Sequence, residues 1–252
     1  SELVWIAVPI VFLAGMVHGA FGIGFPLVAT SLLALFGDVL TAMLITLLPT
    51  MSVNLMIIYQ SGLSQLRIIK KHLLIIPFAL AGTMLGSILL VLLDPRPFLL
   101  ILSAAILLYL NQEKLKRLKL TWIESHRLTA YVFFGLVAGL MAGTVNVMMP
   151  VLMILFLELK LAMASMVMLF NINFFSGKLT QSLFFSQQLP GVEPFLLKTL
   201  WLVPVALLAL LLGSGIRERI DEAHYLKFMR ALLWIIAVVL VARFFYSYIE
   251  SG

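Results

Sequence analysis

The sequence predicts an all-α, polytopic integral membrane protein built from two inverted repeats. Three observations lead to this fold class: the composition, the length of the apolar stretches, and a pattern that restarts halfway along the chain. Of the 252 residues, 63% are hydrophobic and 11% are charged, whereas a soluble domain of this length has more polar surface to cover. Several apolar stretches have the roughly 17 to 25 residues that cross a hydrocarbon core.

The apolar stretches predict the helical elements in chain order. We expect these elements at 3–20, 24–36, 39–60, 73–93, 97–111, 129–143, 147–157, 161–186, 196–214 and 228–249. In each half the first two stretches form one broken segment, and three transmembrane helices follow it. The first stretch has neither a basic region before it nor a small-residue cleavage site after it, so we interpret it as a membrane helix.

Matching residues in the two halves predict a duplication. Three pairs lie 124 residues apart: Gly15 with Gly139, Gly19 with Gly143, and Pro26 with Pro150. Ser52 and Ser176 have the same separation, and the tripeptide LGS recurs at 85–87 and 212–214. We therefore expect an N-terminal repeat at 1–111, a basic connector at 112–127 and a C-terminal repeat at 128–252.

The basic loops orient the two halves. Lysine and arginine concentrate in the loops at 62–72 and 215–230 and in the connector, which predicts that these three segments are cytoplasmic. The loop at 187–195 corresponds to 62–72 but is poor in basic residues, so we expect it outside, together with both termini. The halves are then inverted, a pattern typical of secondary transporters with a site near the midplane. The same bias explains the net charge of +6 without a nucleic-acid partner.

Each half contains residues that interrupt helices, followed by a proline suited to a first helical turn. The expected breaks involve Gly19, Gly22, Gly24 and Pro26 in the first half, and Gly143, Asn146 and Pro150 in the second. The pieces after the breaks are too short to cross easily, so we interpret them as half-helices. Their N-termini would offer free N–H groups and partial positive charge to an anion. The alternative is that the glycines only permit close helix packing.

Lys178 is the one clearly ionised side chain well inside a predicted span, and such a charge by default marks a binding site or pathway. Snorkelling to the membrane surface is the alternative. The predicted substrate-binding set is Lys178, Asn54, Asn171, Asn173, Ser176, Ser52, Gly19, Gly22, Thr144 and Asn146. His18 and Lys178 are the candidate proton carriers, although a lone histidine is more often a hydrogen-bonded core residue.

The two broken segments, "GMVHGAFGIGFPL" and "GLMAGTVNVMMPV", resemble those of the sulfite exporter TauE/SafE family of anion transporters. The resemblance covers nearly the whole chain, although Thr144 and Asn146 stand where the family has glycines. It implies two related halves, and movement of small sulfur-containing anions such as sulfite or organosulfonates across a bacterial inner membrane. The implied partners are a small anion and the lipid bilayer, with protons as the candidate coupling ion.

Other function classes have less support in the sequence. No HExxH, GxSxG or intramembrane aspartate pair is present, so we expect neither an enzyme nor a metal or other cofactor. A retinal Schiff base on Lys178 would need a carboxylate counter-ion at similar depth. The predicted spans contain none, so a retinal-type photoreceptor has little support. An anion channel, or a carrier of small carboxylates, remains the alternative to a sulfur-anion exporter.

Overall fold

The computed structural model describes residues 2–111, 114, 120–216 and 222–249. The regular secondary structure of this part of the chain consists of helices, without strands. The helices in chain order are α1 Glu2–Phe21, α2 Phe25–Leu33, α3 Val39–Ile69, α4 Ile75–Leu92, α5 Pro97–Leu110, α6 Trp122–Ser125, α7 Arg127–Val145, α8 Met149–Glu158, α9 Met163–Gln188, α10 Val192–Thr199, α11 Leu202–Ile216 and α12 Glu222–Ile249. The all-α prediction is confirmed. Residues 112, 113 and 115–119 of the connector at 112–127, and residues 217–221 of the loop at 215–230, lie outside the described residues.

Length and apolar composition make several of these helices capable of crossing a membrane. Within the described residues, four segments qualify: Val39–His72, Ile75–Leu92, Arg127–Val145 and Arg230–Ser247. A fifth is the pair α10 and α11, which meet at an angle of 41°. The polytopic membrane prediction is therefore confirmed.

Two boundaries differ from the prediction. The expected span at 196–214 is two helices, because the chain bends between Thr199 and Leu202. The expected loop at 62–72 is largely helical, since α3 continues past a local interruption at Gly62. Gly62 has φ 75° and ψ 169°, a conformation that only glycine adopts readily. Nothing would crowd a Cβ there, so this backbone conformation, rather than lack of space, favours the glycine.

The two predicted halves exchange helices in their packing. Helix α1 packs along α11, and α7 packs along α4. Glycines allow both contacts, because a Cβ added to Gly19 would overlap the backbone carbonyl of Leu210, and one added to Gly139 would overlap that of Ala79. The alternative interpretation of these glycines, as close-packing residues, therefore applies to Gly19 and Gly139.

The remaining large contacts join helices that the predicted repeat makes equivalent. Helix α3 packs on α9, and α5 packs on α12. Near one end of the first pair, Gln65 on α3 donates a hydrogen bond to Ser165 on α9. The last turns of α3 thus contact the first turns of α9, as in an antiparallel pair.

Candidate functional site

Both broken segments contain a three-residue interruption at the same place in the repeat. The first break (residues 22–24) separates α1 from α2, and the second break (residues 146–148) separates α7 from α8. Each begins with a residue of positive φ, Gly22 at 75° and Asn146 at 61°. Asparagine is one of the few side-chain-bearing residues that adopt this conformation readily. A proline then lies in the first turn of both α2 and α8.

The structure places two of the predicted break residues inside helices instead. Gly19 lies two residues before the end of α1, and Gly143 lies two residues before the end of α7. Both contact a neighbouring helix so closely that an added Cβ would overlap its backbone. Gly19 and Gly143 are therefore packing residues rather than break residues, because their close contacts with α11 and α4 account for the glycines.

The first break is held by a network between α1 and α9. The Nε2 atom of His18 lies 3.1 Å from Oδ1 of Asn171, and the N–H of Phe25 donates to Nδ1 of His18 at 3.3 Å. Because Nδ1 accepts, the proton of the neutral imidazole is on Nε2 and points to Asn171. The Asn171 amide donates in turn to the carbonyl oxygens of Gly22 and Val167, at 2.7 and 2.8 Å. His18 is thus a fully hydrogen-bonded core residue that also caps the start of α2.

The second break faces α2 and α3. The Nδ2 atom of Asn146 donates to Oγ1 of Thr30 at 2.6 Å and lies 3.5 Å from Oγ1 of Thr46. The Oδ1 atom of Asn146 is buried with no partner. Each break therefore contacts helices of the other half, because the first meets Asn171 and the second meets Thr30.

Lys178 lies in a separate cluster beside the end of α7, which we call the Lys178 cluster: Lys178, Gln181, Ser87 and the Gly143 carbonyl. The lysine side chain is 2% exposed, which contradicts snorkelling. Its Nζ donates to Oε1 of Gln181 at 2.6 Å. The Nε2 atom of Gln181 then lies 3.1 Å from Oγ of Ser87 and 3.4 Å from the Gly143 oxygen. Within the described residues, no carboxylate forms an ion pair with Lys178.

The other predicted binding residues mostly bond to their own helices. The amide groups of Asn54 and Asn173 donate to the carbonyls of Thr50 and Leu169, which leaves their buried Oδ1 atoms without partners. The Ser52 and Thr144 hydroxyls donate one turn back, and Ser176 is half-buried on α9. The free atoms of these asparagines are therefore acceptors, whereas an anion needs hydrogen-bond donors.

The polar residues that α9 contributes to the site are thus spread along the helix. Asn171 contacts the first break, and Gln181 lies beside the end of α7. Ten residues of α-helix separate them, or about 15 Å. Helix α9 connects the two regions, since it carries Asn171 near one of them and Lys178 near the other.

A cavity of about 380 Å³ opens beside the first break. Its polar lining comes from Gln60, Ser61, Gln65 and Ser214, and it also touches Gly19 and Gly22. The sequence reasoning missed these four polar residues and Ser87. One signal pointed to two of them, because Ser87 and Ser214 end the two copies of LGS.

The charges of the region are few. Lys178 is the one buried cation near the breaks in the described chain, and the other polar groups there are neutral amides, hydroxyls and an imidazole. No group of three or more histidine, cysteine, aspartate or glutamate residues that could hold a metal occurs in the described part. The arrangement can solvate a small polar ion by neutral groups and one ammonium.

Comparison with known proteins gives one match. The family model described as sulfite exporter TauE/SafE matches residues 7–241, which is nearly the whole chain. No curated protein and no solved structure matches the chain.

Proposed function

Because the chain belongs to the sulfite exporter TauE/SafE family, we propose that it is a secondary transporter that exports small sulfur-containing anions such as sulfite or organosulfonates. The observation that carries this proposal is the pair of equivalent breaks inside a multi-pass helical protein. Irregular backbone at membrane depth is tolerated only where it is buried in protein or lines a cavity. The first break does both, since Gly22 is buried in the protein and also lines the cavity.

The starts of α2 and α8 suit an anion. Each is a short helix, of 9 and 10 residues, so each ends well short of a full crossing at about 1.5 Å per residue. Their N-termini lie in the protein interior, where the partial positive charge of a helix start attracts anions. At the start of α2 the Phe25 N–H already bonds to His18. Lys178 adds a full positive charge on the neighbouring α9. The substrate site therefore lies near the membrane midplane, between the two halves.

The helix packing supports inverted repeats at 1–111 and 128–252. Inversion makes equivalent helices antiparallel, and the contact of Gln65 near the end of α3 with Ser165 near the start of α9 fits this. The exchange of α1 and α7 between halves fits a two-fold relation as well. In this topology the basic connector and the 62–72 segment are cytoplasmic, and the protein lies in the bacterial inner membrane.

The hydrogen bonds of His18 give a physical route to proton coupling. Its Nδ1 accepts from the Phe25 N–H, so a proton on Nδ1 would remove that bond and release the start of α2.

Lys178 makes one hydrogen bond to Gln181, whereas an ammonium has three donors. An anion can fill the remaining positions.

Flux into liposomes tests the function. Purified protein should take up labelled sulfite and an organosulfonate with saturation, and unlabelled substrate on the opposite side should drive counterflow. Uptake that never saturates and shows no counterflow would indicate an anion channel. Counterflow with small carboxylates but not with either sulfur anion would contradict the proposed substrate class.

A further inference from the structure

The cavity beside the first break has a counterpart in the second half. Gly19 and Ile57, which line the cavity, match Gly143 and Gln181 at a separation of 124 residues. Ser214, another lining residue, matches Ser87 in the LGS repeat. Gly143, Gln181 and Ser87 are all members of the Lys178 cluster.

The two equivalent places differ in whether they are open. In the first half, Gly19, Ile57 and Ser214 line a cavity of about 380 Å³. In the second half Gln181 bonds to Ser87 and lies 3.4 Å from the Gly143 oxygen, so it joins α9 to α4 and α7. The same part of the repeat is thus an open cavity in one half and is filled by hydrogen-bonded side chains in the other.

The residues farther along α3 and α9 also make the first place more open and more polar than the second. Ser61 and Gln65 line the open cavity, and the residues 124 positions later are Phe185 and Leu189. Phe185 is fully buried. The open place is therefore polar and suits a hydrated small anion, whereas its counterpart is apolar beyond the Lys178 cluster.

We propose that the cavity is the open entry path for the anion, and that the Lys178 cluster is the gate that closes the equivalent exit path. This inference rests on the proposed transport function. In the proposed topology the cavity opens to the cytoplasm, because Gln65 lies in the basic 62–72 segment and Ser61 directly precedes it. The cations Arg67, Lys70 and Lys71 of that segment raise the local concentration of anions at its mouth.

The chemistry of the gate links its opening to the substrate. Opening separates Gln181 from Ser87 and from Gly143, and this disturbs the bond between Gln181 and the Lys178 ammonium. A buried ammonium without a partner is costly. An anion supplies a replacement, since a hydrogen bond between an ammonium and an anion is stronger than one between an ammonium and a neutral amide. The gate therefore opens readily only when an anion reaches Lys178.

Accessibility of single cysteines tests the gate, because the natural chain has no cysteine. Ser61→Cys and Ser214→Cys probe the cavity, and Ser87→Cys probes the gate with a thiol that can still accept from the Gln181 amide. An impermeant charged maleimide should label positions 61 and 214 in inverted membrane vesicles but not in right-side-out vesicles. Position 87 should react in neither.

Two changes should expose position 87 from the outside. Gln181→Ala, added to Ser87→Cys, should raise the labelling rate of position 87 in right-side-out vesicles at least tenfold. Thr180→Ala, which removes a hydroxyl bonded within α9, is the control and should leave that rate unchanged. Methanesulfonate should have the same effect on the chain with intact Gln181; a sulfonate is needed because sulfite itself consumes maleimide. As a control for folding, Ser61→Cys is combined with Gln181→Ala or with Thr180→Ala in place of Ser87→Cys. Labelling of position 61 from the cytoplasmic side alone shows that the fold is retained.

Specific outcomes would overturn the gate. One is labelling of position 87 from the cytoplasmic side as fast as position 61, and another is no increase with methanesulfonate. Because labelling needs no flux, the two proposals fail separately. Saturable flux without exposure of position 87 would refute the gate alone, and correct labelling without any sulfur-anion flux would refute the transport function alone.

Discussion

His18 and Asn171, on α1 and α9, form a buried hydrogen bond of 3.1 Å that joins the two halves of the chain. Asn171 also donates to the Gly22 carbonyl in the first break. One amide therefore connects the imidazole, the break and α9.

We predict that Asn171→Leu destabilises the fold and that Asn173→Leu does not. The first variant leaves the His18 N–H and the Gly22 carbonyl unpaired, which costs about 1–3 kcal/mol for each buried group. The second removes an amide oxygen that has no partner and an amide N–H that bonds only within α9, to the Leu169 carbonyl. Thermal unfolding in detergent, with wild type alongside, measures the difference. Equal melting temperatures for the two variants would show that the network does not hold the first break.

His18→Gln tests proton coupling. Glutamine can accept from the Phe25 N–H and donate to Asn171, but it does not titrate. We therefore expect the variant to retain substrate counterflow and to lose accumulation driven by a pH gradient. Both are measured in the same liposomes with and without the gradient. Gradient-driven accumulation equal to that of the wild type would remove His18 from the proton pathway.

The left-handed conformation of Asn146 predicts an unusual order of stability. Asn146→Ala and Asn146→Gly both lose the bond to Thr30. Alanine must also adopt φ near 61°, which costs about 1–2 kcal/mol for a residue with a Cβ. The glycine variant should therefore be the more stable by about 1 kcal/mol, although alanine is the better helix former. The opposite order in chemical unfolding would contradict the described second break.

The breaks could be predicted from the sequence because their causes are local. A left-handed residue and a proline in the following turn have a recognisable spacing, and it recurs after 124 residues at Gly22 and Asn146. The all-α fold followed from composition in the same way. The assignment of Gly143 to a break was wrong for a non-local reason, because its close contact is with α4, and nothing adjacent in sequence reveals that partner.

The division of the site was not predictable for a similar reason. Helical periodicity places Asn171, Lys178 and Gln181 near one face of α9, but it does not say which helix covers each turn of that face. In the structure, Asn171 donates a hydrogen bond to the first break, and Gln181 donates one to Ser87 on α4. Ser87 and Ser214 were visible as a repeated tripeptide, and only the packing of α4 and α11 gives them a place beside the site.

The proposed topology predicts opposite exposure of two segments that the repeat makes equivalent. Ser64→Cys, near the end of α3, should be labelled only from the cytoplasmic side, and Gln188→Cys, at the end of α9, only from the outside. Both side chains are exposed, so access alone should not limit the reaction. An impermeant thiol reagent on intact cells and on inverted vesicles measures this. Labelling of both positions from one side would contradict inverted repeats.

The most direct test of the central claim, that a buried ammonium and two broken helices bind a sulfur-containing anion, is the affinity of Lys178→Gln. Binding of sulfite, a sulfonate and a carboxylate to purified wild type and variant would be measured by calorimetry, with Lys198→Gln, an exposed lysine of α10, as the control. We predict that Lys178→Gln weakens binding of the sulfur anions more than tenfold, or about 1.4 kcal/mol, and that the control leaves it unchanged. Unchanged affinity in Lys178→Gln would contradict the account and leave the two half-helix N-termini as the anion site.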